Sequence, residues 1–492
     1  MKCAVVKYCV FLMMSLLIFV DVAFAAEPRR STNGIMTYQA ETAKLVGNVR
    51  VSTDEPGFSG SGYVTGFEKD GDACLFTVTV PADAFYDFNF VSKSFPDQYK
   101  ENIVTVDGGQ VGAVNVTGGT FTNSLIRRIY LTKGSHTIGL VKSWGWISLD
   151  KLQIKESAPL PKDLYSVSAK LINPQADDNA KRLMAYLTDI YGKKMLSGQT
   201  AQNGIDSAEW KAIVQLTGKK PAVLAFDFMD ASLSRVALGT TCNTVEKAVE
   251  FDRLGGIVTI CWHWNAPTKY ITGIWYKAFY TDATNINLKS IMDGEDKEGY
   301  DLLLADIDAI ALELKQLEKV GVPVLWRPLH EASGGWFWWG AAGPEPCKKL
   351  WVLLYERLAE HHGLNNLIWV WNGQAKDWYP GDGYVDIIGE DIYAGERNYT
   401  SQADRFFKAV GYSPTRKIVV LSENGTLFDP DLAVRDGALW AYFATWCGGF
   451  VVEADSSYSE KHTEKEMLKK VYRHPAMVTL DKLPDLKRYP IK

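Results

Sequence analysis

VPVLWRPLHE (residues 322–331) runs five apolar residues into an arginine and closes on a histidine and a glutamate. A strand with one wet face alternates apolar and polar residues, whereas a run this uniform belongs to a strand covered on both faces. Seven other stretches past residue 167 share its character: KKMLSGQ, PAVLAFDFMD, GGIVTICWHWN, NLIWVWNG, VDIIGEDIY, KIVVLSENG and GGFVVEAD. Between them lie helical patterns such as DDNAKRLMAYLTDIYG (177–192) and EGYDLLLADIDAIALELKQLEKVG (298–321). Eight such strands alternating with helices over roughly 325 residues predict a (β/α)8 TIM barrel rather than an open doubly wound sheet. No GxGxxG follows any strand and no GxxxxGK(S/T) occurs, which removes the commonest nucleotide-binding readings.

Outward from the barrel, the chain divides further. Residues 1–26 hold Lys2 and Lys7, the apolar run VFLMMSLLIFV and a small-residue ending, VAFA. This reads as a secretory signal peptide rather than a membrane anchor, so the expected location is extracellular, with no membrane span after its removal. Residues 27–156 carry short alternating strands (GSGYVTGF, CLFTVTV, FYDFNFVSK, NIVTVDG, SLIRRIYL, HTIGLVK, ISLDKLQI) separated by glycine and polar turns, the pattern of an all-β sandwich. Prolines and charges without periodicity make 157–166 a linker, leaving 167–492 for the barrel. Two domains suit a chain of 492 residues, and a net charge of −5 with no basic run gives no reason to expect nucleic acid. Nothing in the composition calls for a partner chain, and a monomer is expected. Past the signal, Cys74, Cys242, Cys261, Cys347 and Cys447 have no metal-ligand spacing and leave room for one or two disulfides.

In a barrel the reacting groups sit where strands run into their following loops. The polar residues there are Gln199, Asp227 with Asp230, His263 with Asn265, His330 with Glu331, Asn372, Asp391 with Tyr393, Glu423, and Glu453 with Asp455. Glu331 and Glu423 close the fourth and seventh strands, which face each other obliquely across the mouth. Carboxyl groups about 5.5 Å apart let one attack an anomeric carbon while the other protonates the departing oxygen; about 6.5–9.5 Å would admit a water and invert the centre. Arg327 stands four residues before Glu331, about 13 Å along a strand, too far to pair with it. Trp336, Phe337, Trp338 and Trp339 can wall Glu331 off from water and keep it protonated as the acid, while Tyr393 or Asn424 can donate to Glu423 as the nucleophile. The residues alone also tolerate the reverse assignment. The 16 tryptophans exceed what a core readily absorbs, because a buried indole N–H needs a partner. Trp262, Trp264, Trp336, Trp371, Trp378 and Trp446 lie at or beyond strand ends, where indoles can cover the apolar faces of pyranose rings. A metal held by His263, His330, Glu331 and Asp391 finds no HExxH motif to support it, and no GxSxG elbow supports a serine esterase.

Several segments, in order, carry a resemblance. RPLHEASGGWFWWG, VVLSENG, ICWHWNAP, DIIGEDIYA and VYRHPAMVTLDKLPD resemble glycoside hydrolase family 26, a retaining β-mannanase family. The resemblance implies Glu331 as acid/base, Glu423 as nucleophile, His330 ordering the network beside the acid, His263 and Trp336 lining the −1 subsite, and Tyr393 bonded to the nucleophile. Trp446, Trp371 and Trp378 are further substrate-contact candidates. It implies no cofactor for catalysis and a β-mannan substrate (mannan, glucomannan, galactomannan or manno-oligosaccharides). An endo-glucanase acting on mixed-linkage β-1,3-1,4-glucan and a non-catalytic polysaccharide-binding protein are the alternatives. YQAE (38–41), SGSGYVTGF and WGWISLDKLQI are similar to carbohydrate-binding modules of family 35. That similarity implies sugar contact through Trp144 or Trp146 and a structural calcium held by Gln39, Glu41 and Asp150.

Overall fold

The computed structural model describes residues 29–30, 34–96 and 98–492, so the signal segment lies outside the described residues. The N-terminal part is two antiparallel sheets. One runs β1 (Arg29–Arg30), β2 (Met36–Gln39), β12 (Ser148–Glu156), β5 (Tyr63–Thr65), β4 (Arg50–Ser52), with β7 (Ala84–Lys93) joining β12 to β10 (Thr122–Leu131). The other runs β3 (Lys44–Val46), β6 (Ala73–Val80), β11 (Gly134–Lys142), β8 (Tyr99–Val106), β9 (Gly109–Thr117). The alternation read from sequence is the burial pattern: Phe76, Val78 and Val80 of β6 point inward onto Phe88 and Phe90 of β7 in one apolar core. β9 was not expected. GQVGAVNVT is weakly apolar and half-buried, and it forms because the Asp107–Gly108 turn, with φ of 50° and 86°, folds it back on β8.

The second part is a closed parallel barrel of β14 (Gly198–Thr200), β15 (Val223–Asp227), β16 (Ile257–Trp262), β17 (Val324–Pro328), β18 (Leu367–Trp371), β19 (Ile387–Ile392), β20 (Ile418–Asn424) and β21 (Phe443–Thr445). All residues of these strands are buried, which is why their sequences do not alternate. Beneath the barrel, β13 (Met195–Leu196) pairs with β22 (Met477–Val478). The eighth strand differs from the expectation. GGFVVEAD is not in the barrel: Gly448 takes φ 64°, residues 448–450 make a 3-10 turn, and Val452 bridges back to Tyr458. The closing strand is the three-residue Phe443–Thr445, whose Thr445 pairs with both Asn424 and Gln199. Glu453 and Asp455 are therefore exposed loop residues rather than mouth residues.

The linker is docked against the barrel. Tyr165 donates to Gly437 O at 2.6 Å and meets the Tyr191 ring edge-on at 5.0 Å, and Leu164 is buried. The sandwich rests on the helix Ala403–Val410, where Asp404 accepts from the Arg127 amide and Phe407 lies 5.6 Å from the Arg128 guanidinium. All five cysteines past residue 26 are free thiols, so the room left for a disulfide is not used; Cys74 is in the sandwich core and the rest are in the barrel domain. Among the described residues no helix is long and apolar enough to cross a membrane.

Candidate active site

Parallel pairing places Asp227, Cys261 and Arg327 side by side on β15, β16 and β17. Across the barrel a register shift after Glu390 brings Asp391 opposite Glu423 on β19 and β20. The same shift leaves Glu390 bonded to Arg405 on the helix outside, while Asp391 turns to the mouth. Glu331 lies beyond the end of β17 with φ 53°, and its amide donates to Asn372 O at 2.8 Å. Carboxylate oxygens of Glu331, Asp391 and Glu423 thus lie within 4.8 Å of one another. A contact this short matches the spacing for nucleophilic attack more nearly than the wider one that admits an inverting water.

Arg327 is the residue the sequence reading missed. Buried, it donates to Asp391 at 2.8 Å and to Glu423 through its other terminal nitrogen. The signal was present: an arginine inside VPVLWRP is a buried cation that demands anions, and its partners stand across the barrel rather than along its own strand. Burial works against the guanidinium's charge, but Asp391 and Glu423 outweigh it and hold Arg327 well above its ordinary range. Asp391 also accepts from Ser422 at 2.7 Å and Asn372 at 3.1 Å. Tyr393 donates to Glu423 at 2.6 Å. Asn424 does not, because its side chain is turned to Thr426 O and Thr445 Oγ1.

Glu331 is in the opposite situation. Among the described residues no cation is bonded to it; its hydrogen-bond donor is Trp336 Nε1 at 2.9 Å. Burial first, then the charges of Asp391 and Glu423, push its carboxyl up to about 9, so it holds its proton at neutral pH. Trp336 is 42% exposed. The other tryptophans of that segment are not: Trp338 and Trp339 are buried, with their N–H groups on Trp264 O and His330 O. Trp262 and Trp264 are buried and stacked at 4.1 Å, with N–H partners on Ser232 and Asp306. Trp371, expected as a substrate contact, is 3% exposed and enclosed edge-on by Tyr379 and Tyr412, so it is a packing residue. Trp378 packs half-buried against the barrel core, and Trp446 lies half-buried 5.9 Å from the His263 ring. Enough internal acceptors exist to bury most of these indoles, which composition cannot reveal.

His263 and His330 meet, Nε2 to Nε2, at 3.1 Å. The other nitrogen of His263 is bonded to Asp227 at 2.5 Å, so no ring nitrogen of His263 is left uncommitted. Donors of Asp227, Cys261 and His263, and of the three carboxylates, are each close enough for an ion. In the first group the histidine is taken up by Asp227 and His330, and in the second Arg327 already supplies the positive charge.

In the sandwich, Gln39 and Asp150 converge on Ser59 and Glu41 accepts from the Ser61 amide at 2.7 Å. Glu41 Oε2 is buried without a partner, and Lys151 lies 3.2 Å from Asp150. Trp144 and Trp146 are 59% and 56% exposed. Trp146, Phe95, Tyr63 and Lys93 line a groove of about 460 Å³.

Residues 172–482 match the model of glycosyl hydrolase family 26, and residues 36–157 that of carbohydrate binding module family 35. A mannan endo-1,4-beta-mannosidase of Thermothelomyces thermophilus is 41% identical over 93% of this chain and 92% of its own. Mannan endo-1,4-beta-mannosidase B of Piromyces sp is 39% identical over 91% of this chain and 77% of its own. The crystal structure of a Podospora anserina GH26-CBM35 beta-(1,4)-mannanase superposes with a TM-score of 0.64 at 39% identity, covering 92% of this chain and all of that one.

Proposed function

The chain belongs to glycosyl hydrolase family 26, and from that premise we propose an endo-β-1,4-mannanase that cleaves mannan, glucomannan or galactomannan with retention, using Glu423 as nucleophile and Glu331 as acid/base. One observation carries the assignment of roles: oxygens of the two carboxyl groups lie within 4.8 Å, yet Glu423 accepts from the Arg327 guanidinium and the Tyr393 hydroxyl while Glu331 is driven to its protonated form. Glu423 attacks the anomeric carbon, and the sugar–oxygen bond breaks as Glu331 gives its proton to the leaving oxygen. Forming the glycosyl ester removes the charge of Glu423. That charge is one of the forces raising Glu331, so its loss readies Glu331 to take a proton from the incoming water. Arg327 and Tyr393 hold Glu423 in line for attack. Trp336 offers its face to the reacting sugar, with His263, His330 and Trp446 behind it.

The remaining assignments follow the same reading. Residues 27–156 form the sugar-binding module, 157–166 the linker and 167–492 the catalytic domain. The module grips neutral polysaccharide through Trp146 or Trp144. Gln39, Glu41 and Asp150 fit a calcium ion in having only oxygen donors, one of them a buried orphan, and a bound cation would tie the first strands of the sandwich to the last. The protein acts as a secreted monomer. Proton NMR of the first product tests the chemistry: the β-anomer must appear before mutarotation, and initial α-anomer ends the double-displacement reading. Reducing-sugar release from glucomannan, galactomannan, lichenan and β-1,3-xylan tests the substrate, and cleavage of lichenan alone would reassign the specificity.

A further inference from the structure

We propose that Asp227 is a positioning residue for the reaction, acting through His263 and His330 to fix the backbone that carries Glu331. Asp227 is buried on β15 and touches neither catalytic carboxylate through a hydrogen bond. One of its oxygens accepts from the amides of His263 at 3.0 Å and Met229 at 2.8 Å, and the other accepts from His263 Nδ1 at 2.5 Å. Burial pushes this carboxyl up, but the His263 ring and the N–H donors outweigh it, and it ends below its ordinary value. An ionised Asp227 can only accept, so His263 Nδ1 carries the proton.

That proton sets the next one. His263 Nε2 and His330 Nε2 are 3.1 Å apart and share a single hydrogen. His330 is buried, and that burial keeps its ring neutral. Its Nδ1 is also buried and has no partner. A bare acceptor is the less costly state for an orphan ring nitrogen, so the shared hydrogen belongs to His330 Nε2 and points at His263. The chain then reads Asp227, His263, His330 in one direction, and Asp227 is the group that imposes it.

The direction matters because of where His330 sits. Leu329 and Glu331 on either side both have positive φ, 51° and 53°, which side chains of these types rarely adopt. The His330 carbonyl accepts from Trp339 Nε1 at 2.9 Å and the Glu331 amide donates to Asn372 O at 2.8 Å, and the imidazole is a third anchor of this strained turn. Replacing Asp227 by asparagine keeps size and shape. Its oxygen stays on the two amides, and its NH2 then faces His263 Nδ1 and strips that nitrogen of its proton. His263 must donate from Nε2, and His330 must place an N–H on the buried side where nothing accepts it. The His330 ring shifts to escape, and Glu331 moves with it.

The test uses the full chain labelled with nitrogen-15 histidine, tractable because the sequence has seven histidines, with peaks assigned by difference against His330→Gln. In the unmodified protein, His263 must be protonated at Nδ1 and His330 at Nε2; the opposite pattern overturns the proposal without any variant having to fold. In Asp227→Asn both patterns reverse, and kcat on soluble galactomannan falls roughly 10- to 100-fold while KM stays within about threefold. Reversed tautomers with undiminished kcat, or reduced kcat with unchanged tautomers, overturn it as well. The inference rests on Glu331 being the acid, but the two fail separately: activity persisting in Glu331→Gln removes the acid and leaves the tautomer result standing.

Discussion

Glu331→Gln should make the protein more stable as well as inactive, and the size of the gain follows from the cleft. The folded chain holds this carboxyl at about 9 against an ordinary 4.5, because it is buried near two other carboxylates with no cation of its own. A group raised on folding contributes its full stability below its unfolded value and loses it as pH climbs toward its folded value. At pH 4 the wild-type side chain is protonated in both states, and glutamine, its neutral isostere, should change little. By pH 7 the unfolded chain has ionised and the folded one has not, which costs the wild type about 3 kcal/mol. Glutamine does not titrate and escapes that cost. Urea unfolding followed by tryptophan fluorescence at pH 4, 5.5 and 7 should therefore show a gap between variant and wild type that opens from near zero to about 3 kcal/mol. Mannan hydrolysis should fall about a thousandfold, the scale of a lost general acid. A gap that is flat across pH, or a variant less stable than wild type at pH 7, would refute the claim that Glu331 is held protonated by its surroundings.

Arg327→Met leaves Asp391 and Glu423 buried beside each other without their cation, and should lower the unfolding free energy by about 3–5 kcal/mol, measured by the same denaturation. Trp336→Phe keeps an aromatic face but removes the N–H that draws Glu331 downward; the basic limb of the kcat/KM profile should move to higher pH, and a downward move would show that the hydrogen bond is not made in solution. Trp146→Ala should weaken retention of the full chain on insoluble mannan while leaving turnover of soluble manno-oligosaccharides unchanged, and equal retention would place the module's contact elsewhere.

Much of this protein can be read from its string. Uniform apolar runs between amphipathic helices define the barrel because a strand covered on both faces has no polar side to show. Alternation defines the sandwich for the converse reason. Glu331 and Glu423 stand out because a strand that ends in a carboxylate at a barrel mouth has little structural use for it. Local signals fail where pairing is decided at a distance. The closing strand of three residues carries too little pattern to compete with the Val451–Val452 run, and only the need to bridge Asn424 and Gln199 selects it. Trp371 and Trp446 each lie at a strand's end, yet one is enclosed by Tyr379 and Tyr412 and the other is left half-open, a difference made by chain remote in sequence. The rise of a strand already keeps Arg327 from Glu331, but the tertiary structure alone decides that it reaches across the barrel to Asp391 and Glu423. Sequence supplies acids of nearly equal intrinsic strength; only barrel closure, which buries Glu331 near Asp391 and Glu423 and sets Arg327 against Glu423, separates the proposed proton donor from the proposed nucleophile.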